Sequence, residues 1–150
     1  MRKSIVLSLL LFGTIFALHA QSAESISDII KTSEATYGQV SYLAGVYQGN
    51  VPEDASFEAA FNAYKESGII SSSVTQSDAI PLKDASLLCA HATGLKGGLF
   101  YSIFHNARYA FRELKAKKIL PPSVDPNMKI SGRDAVAILS GCISVTGGNE

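Results

Sequence analysis

The chain has 150 residues, 47% of them apolar, and its 13 basic and 13 acidic side chains give a formal net charge of zero. This composition excludes an intrinsically disordered chain, because disorder combines few apolar residues with a high net charge. The balanced charge offers no general attraction for phosphates, so we predict no nucleic-acid partner. The length suits a single domain.

The N-terminus has the pattern of a secretory signal peptide, which we place at 1–20. Arg2 and Lys3 precede an uncharged run that ends at Leu18. As a helix this run would reach about 21 Å, less than the roughly 30 Å of a bilayer's hydrocarbon core, so an uncleaved anchor is the weaker alternative. Cleavage would leave one exported domain, 21–150, in the periplasm or cell envelope and without a transmembrane segment.

After the signal peptide, apolar residues recur at helical spacings. The stripes predict five helices, which in chain order cover 36–47, 57–64, 85–92, 99–117 and 135–142. The first is the weakest, because Gly38 and Gly45 lower its helix propensity. The fourth, from Leu99 to Lys117, is the longest. The predicted fold class is therefore all-α, a compact bundle of about five helices.

Two stretches of the chain repeat each other at a spacing of fifty residues. An ungapped alignment of 58–93 with 108–143 gives nine identities in 36 positions. We interpret this as a duplication of a helix-loop-helix unit, with full copies at 56–93 and 106–143 and a half copy at 30–47. The half copy rests on a shared pattern of three residues, Ile30, Glu34 and Ala35.

Each full copy begins with a helix that ends in a pair of apolar residues. A loop and an isoleucine follow, and then a second helix with an aspartate near its start. In this order the sequence resembles the S-layer homology module, with its Gly-Ile-Ile stop and Ile-Thr-Arg-Ala-Glu helix start. The matching stretches here are Gly68-Ile69-Ile70, Ile80-Pro81-Leu82-Lys83-Asp84 and Ile130-Ser131-Gly132-Arg133-Asp134. The resemblance implies that grooves between repeats bind an anionic cell-wall polymer.

Five basic side chains are the predicted ligand-binding residues. In the S-layer homology family an arginine holds the polymer; its positions here are Leu82 and Gly132, and basic residues follow one place later. A second group forms a basic stripe on the predicted long helix, for which a solvated face is the alternative interpretation. The complete set is Lys83, Arg133, Arg108, Arg112 and Lys115.

The two cysteines, Cys89 and Cys142, allow two interpretations. In an oxidising compartment they could form a disulfide, which would stabilise the fold by about 4 kcal/mol in the chain-entropy model. Both also lie on predicted core stripes, where cysteine serves as a small apolar residue. The sequence favours neither.

The acid at each helix start is explained by structural capping, because a carboxylate in the first turn complements the positive end of the helix dipole. Ser131 and Asp134 also have the spacing of a capping box, which Pro81 cannot form with Asp84. We predict no metal site, no cofactor and no catalytic residue, since no complete motif for any of them occurs. The predicted function is a non-enzymatic envelope protein that binds cell-wall polymer or an envelope protein through inter-repeat grooves and a basic helix. The alternative is a small periplasmic protein-binding or inhibitor protein, and a hydrolase ranks third.

Overall fold

A computed structural model describes residues 23–147, and the predicted signal peptide lies outside this range. The described residues form seven helices and no extended strand, so the predicted all-α class is confirmed. The helices are α1 (23–31), α2 (Tyr37–Gln48), α3 (Phe57–Glu66), α4 (Leu82–Ala92), α5 (Leu99–Phe104), α6 (Ala107–Ala116) and α7 (Gly132–Gly147). Within residues 23–147, none of them has both the length and the apolar character needed to span a bilayer.

The predicted long helix from Leu99 to Lys117 is wrong, because the chain breaks between α5 and α6. His105 ends α5 in the left-handed conformation, with φ 37°. Asn106 then caps α6: its side-chain oxygen accepts the N–H of Tyr109 at 3.2 Å. The apolar periodicity continues across the break, so periodicity alone could not reveal it.

Helix α4 lies at the centre of the bundle and packs against α2, α6 and α7. Its Ala85, Leu88 and Cys89 are almost completely buried. Helix α3 packs on α2, and α5 packs on α6. The core therefore joins both predicted repeat units rather than dividing between them.

Helices α3 and α6 end in the same way, fifty residues apart. Ile69 donates its N–H to the Tyr64 carbonyl at 3.2 Å, and Ile119 donates to the Leu114 carbonyl at 2.9 Å. The residues before the two isoleucines, Gly68 and Lys118, both have positive φ, 78° and 60°. In each helix a lysine also lies over a phenylalanine ring: the pairs are Lys65 on Phe61 at 5.2 Å and Lys115 on Phe111 at 5.3 Å.

The starts of α2, α4 and α7 meet in a ring of backbone hydrogen bonds. The first residue of each helix donates its N–H to a carbonyl in the segment preceding another of the three helices. The bonds run from Tyr37 to Asp78 (3.1 Å), from Leu82 to Met128 (2.9 Å) and from Gly132 to Thr32 (2.9 Å). Three chain segments, rather than two, therefore share one arrangement.

The most N-terminal segment matches the others at a spacing different from the predicted one. Ala35 precedes the cap of α2 as Ile80 precedes that of α4, and the Ile80 N–H donates to the Ala35 carbonyl at 2.9 Å. These two residues are 45 positions apart in the chain. Ala35 thus takes the position predicted for Ile30, and Gln39 takes the one predicted for Glu34. The five-residue difference arises after the first helix of each copy: α3 begins 20 residues after the start of α2, whereas α6 begins 25 residues after the start of α4, with α5 in between.

Candidate functional site

A groove of about 420 Å³ lies where the two units meet, and we call it the inter-unit groove. Its walls come from the stop of α3, the outer side of α4 and the start of α6, with one tyrosine from α2. The volume is in the range of small-ligand clefts. The lining residues are Tyr37, Ser67, Gly68, Ile69, Ile70, Ser71, Asp84, Leu87, Leu88, His105, Asn106 and Ala107.

Asp84 is directed to the groove because its capping partner is missing. In α7, the Asp134 carboxylate accepts the Ser131 N–H at 2.9 Å and the Ser131 hydroxyl at 2.7 Å, which confirms the predicted capping box. At the start of α4 the equivalent position holds Pro81, which has neither a hydroxyl nor a backbone N–H and forms no such cap. Asp84 therefore lies in the first turn of α4 without a capping box, as the sequence predicts from Pro81, and its carboxylate accepts the Tyr37 hydroxyl.

Tyr37 holds this carboxylate from inside the fold. Its side chain is 6% exposed. Burial, together with the hydrogen bond to Asp84, raises the pKa of the Tyr37 phenol far above its usual value of 10. The phenol therefore stays protonated and donates at every physiological pH. Asp84 is in this way oriented with acceptor positions left for a ligand in the groove.

The break between α5 and α6 supplies the facing wall. His105 and Asn106 both line the groove. The Asn106 side-chain oxygen is used in capping α6, whereas its amide N–H groups bond to no residue in the described part of the chain. The groove thus offers an acceptor at Asp84, donors at Asn106 and an imidazole at His105. Half-buried apolar side chains, Ile69 and Leu87, lie between them.

The five basic residues predicted to bind ligand do not line this groove. Arg108 and Arg112 are exposed on α6 and form no ion pair within residues 23–147. Lys115 lies over the Phe111 ring, and Lys83 donates to the Asn127 side-chain oxygen at 2.8 Å, a contact between the two units. Arg133 is exposed in the first turn of α7. Of the five, Arg108 lies nearest to the groove in sequence, since it directly follows Ala107, which lines the groove.

The two positions of the family's arginine are closed by packing. Leu82 is 3% exposed and belongs to the core. At Gly132 a side chain would collide with α1, because a Cβ there would lie 1.7 Å from the Ile29 carbonyl oxygen. An arginine at either place could not reach solvent in this fold.

Both cysteines are free and buried, Cys89 on α4 and Cys142 on α7. Burial raises the pKa of the Cys142 thiol to about 12, and burial with the nearby Cys142 raises that of Cys89 well above its usual value. Within residues 23–147, no three His, Cys, Asp or Glu side chains form a group able to hold a metal ion.

Comparisons with protein-family models, with curated proteins and with solved structures gave no significant match. The resemblance to the S-layer homology module therefore rests on the motif residues of the sequence alone.

Sequence reasoning missed the residues that form the groove. One signal was present: Pro81 stands where Thr36 and Ser131 cap the equivalent helices, so Asp84 had to find another partner. A second was His105-Asn106, since asparagine is a preferred cap residue. Nothing in the sequence indicated the contribution of Tyr37, which lies 47 residues from Asp84.

Proposed function

We propose that this chain is a non-enzymatic, exported binding protein that holds a glycan strand of the cell envelope in the inter-unit groove. The observation that carries the proposal is the Asp84 carboxylate, oriented by a buried tyrosine at the floor of a groove with apolar walls. Sugars present hydroxyl donors beside apolar C–H faces, and this combination of acceptor and apolar wall suits them. Charge-assisted hydrogen bonds to a carboxylate are among the stronger polar contacts.

The surroundings of the groove extend this proposal to an anionic polymer. Arg108 lies directly after Ala107 of the groove wall and forms no ion pair with any described residue. An anionic substituent on a sugar next to the bound one would meet this guanidinium. Of the predicted basic residues, Arg108 is therefore the one we assign to the polymer.

Binding is favoured over hydrolysis by the number of carboxylates. Glycoside hydrolysis generally requires two carboxyl groups on opposite sides of the scissile bond. Among the residues that line the inter-unit groove, Asp84 is the sole carboxylate. A protein of this kind would hold a glycan and leave it intact.

The test is co-sedimentation of the protein with purified, delipidated cell-wall sacculi. We expect the wild type to pellet and Asp84→Asn to bind about tenfold more weakly, as expected for the loss of a charged hydrogen-bond acceptor. Asp134→Asn is the matched control, since it changes the same residue type at the equivalent helix position outside the groove. Failure of the wild type to pellet, or equal losses in both variants, would overturn the proposal.

A further inference from the structure

Helix α5 exposes a row of large apolar side chains, which we call the α5 ridge. Its members are more than half exposed: Leu99 (71%), Phe100 (61%), Ile103 (59%) and Phe104 (52%). Most other large apolar side chains of the described residues are buried. A contiguous apolar surface on a small protein commonly marks an interaction site.

The ridge is held outward by its own packing. Tyr101, on the opposite side of α5, is 5% exposed and anchors the helix to the core. The Gly98 N–H donates to the Glu113 carboxylate at 2.9 Å, which fixes the start of α5 to α6. Phe100 and Phe104 both stack on Tyr109, with ring centroids 5.8 and 5.4 Å away. The exposed position is thus built into the fold.

Unpaired positive charge flanks this apolar surface. Arg112 lines a shallow depression together with Leu99 and Phe100, and Lys96 stands three residues before Leu99. Neither forms an ion pair with a described residue. The one acid here is Glu113, which accepts the Gly98 N–H and pairs with Lys117 at 3.5 Å. The surface therefore combines apolar side chains with uncompensated cations.

We propose that the α5 ridge docks on the surface of an anionic lipid bilayer. The four apolar side chains enter the boundary between headgroups and acyl chains, and Lys96 and Arg112 contact lipid phosphates. Basic residues beside an apolar helical face are the pattern of an interfacial membrane contact.

The charge of the surface favours an anionic bilayer over a second copy of the chain. Lys96 and Arg112 complement anionic headgroups, whereas a second copy would present the same two cations. A two-fold dimer through the ridge would also bring two unpaired Arg112 side chains close together, and like charges in contact are unfavourable.

A single tryptophan can report the docking directly, because the chain has none. In Leu99→Trp of the chain without the predicted signal peptide, 21–150, we expect a blue shift of fluorescence on adding phosphatidylcholine vesicles that contain phosphatidylglycerol, and little shift with phosphatidylcholine alone. Tyr47→Trp is the matched control, since Tyr47 is 46% exposed at the end of α2. No shift at position 99, or equal shifts at both positions, would overturn the proposal.

Variants separate the apolar and the charged contributions in vesicle sedimentation. We expect Leu99→Ser with Ile103→Ser to bind anionic vesicles at least about tenfold more weakly, and Arg112→Gln about fivefold more weakly. Arg133→Gln, an exposed cation on α7, should bind like the wild type. Circular dichroism and thermal melting establish that each variant is folded; substitutions at such exposed positions should leave both unchanged.

Two results would overturn the proposal in different ways. Equal binding to neutral and anionic vesicles would contradict the preference for an anionic bilayer and the role of the cations. A dimer that forms in sedimentation equilibrium without lipid, and is lost in Leu99→Ser with Ile103→Ser, would show that the ridge binds a second copy. The vesicle test is independent of the polymer test, since that test uses delipidated sacculi and a substitution at Asp84.

Discussion

Asp84 and Asp134 are the same residue at equivalent helix positions, yet they have different tasks, and one neighbour decides which. Where Ser131 precedes, the carboxylate closes a capping box. Where Pro81 precedes, the carboxylate is left to accept the Tyr37 hydroxyl in a groove. The sequence shows an aspartate at both positions. The different role of Asp84 became clear only from the position of Tyr37 in the fold.

The capping role of Ser131 can be measured by its removal. We expect Ser131→Ala to lower the free energy of unfolding by about 1 kcal/mol, because the Asp134 N–H loses its acceptor and the carboxylate loses a donor. Urea unfolding provides the measurement. Ser144→Ala is the control, since the Ser144 hydroxyl only donates to the Ser140 carbonyl on an exposed face. Equal stability of both variants would contradict the assignment.

The state of the cysteines follows from their burial. Because the pKa of each thiol is raised and each is enclosed, neither should react with a thiol reagent in the native protein. We expect two thiols to react after denaturation without a reductant. If no thiol reacted after denaturation, the two cysteines would be joined in a disulfide, the other interpretation that the sequence left open.

Stability should fall slightly on mild acidification because of His91. Partial desolvation of the imidazole, together with the nearby His105, lowers the pKa of His91, and its ring packs edge-on against Tyr64 at 6.1 Å. Because much of the side chain is exposed, solvent screening keeps the effect small. The unfolded chain then binds the proton more readily than the folded one, so stability is present at higher pH and declines as pH falls through about 6.5. Thermal melts of His91→Gln should depend less on pH over this range. A pH dependence equal to that of the wild type would contradict this.

The ends of the helices depend on cap residues and on close contacts between helices and loops. Some of these features can be recognised in the sequence and others cannot. The helix at 36–47 is present although two glycines weaken it, and the structure shows why one is needed. A Cβ at Gly45 would lie 2.4 Å from the Val51 side chain, so the glycine allows the following loop to pack on α2. Periodicity found the helical segments, but it could not show the break at Asn106.

The closest such contact lies between α1 and α7 and gives the next prediction. We expect Gly132→Ala to destabilise the protein by more than about 3 kcal/mol, because the added Cβ would overlap the Ile29 carbonyl and displace α1. Thermal melting measures the loss. Gly147→Ala is the control, since no atom of the described residues lies within 4 Å of a Cβ there. A Gly132→Ala protein as stable as this control would show that α1 is free to move aside.

At the scale of the whole molecule, three helix starts close on one another, although the sequence showed only two clear copies. The third copy was hidden because its spacing to the next is 45 residues and its shared residues are mainly the buried ones. Hydrogen bonds between backbone groups hold the starts of α2, α4 and α7 together. Because these bonds do not depend on the side chains, the three segments can share the arrangement without sharing many residues. Fold class was therefore predictable, whereas the groove, which depends on how three segments meet, was not.

The break between α5 and α6 borders both proposed surfaces, so a single substitution there should affect both. Asn106 caps α6 and lines the inter-unit groove, while the break it creates lets α5 turn its apolar side chains outward. Asn106→Ala should therefore weaken binding to both sacculi and anionic vesicles, and should lower stability by about 1 kcal/mol.

The matched control for this prediction is Ser56→Ala, which removes the equivalent cap of α3 at a similar cost in stability. It borders neither the groove nor the ridge, so both binding activities should persist. Asp84→Asn should affect sacculi alone, and Leu99→Ser with Ile103→Ser should affect vesicles alone. If Asn106→Ala left both activities intact, the break would be a local feature of the chain and the two surfaces would be independent of it.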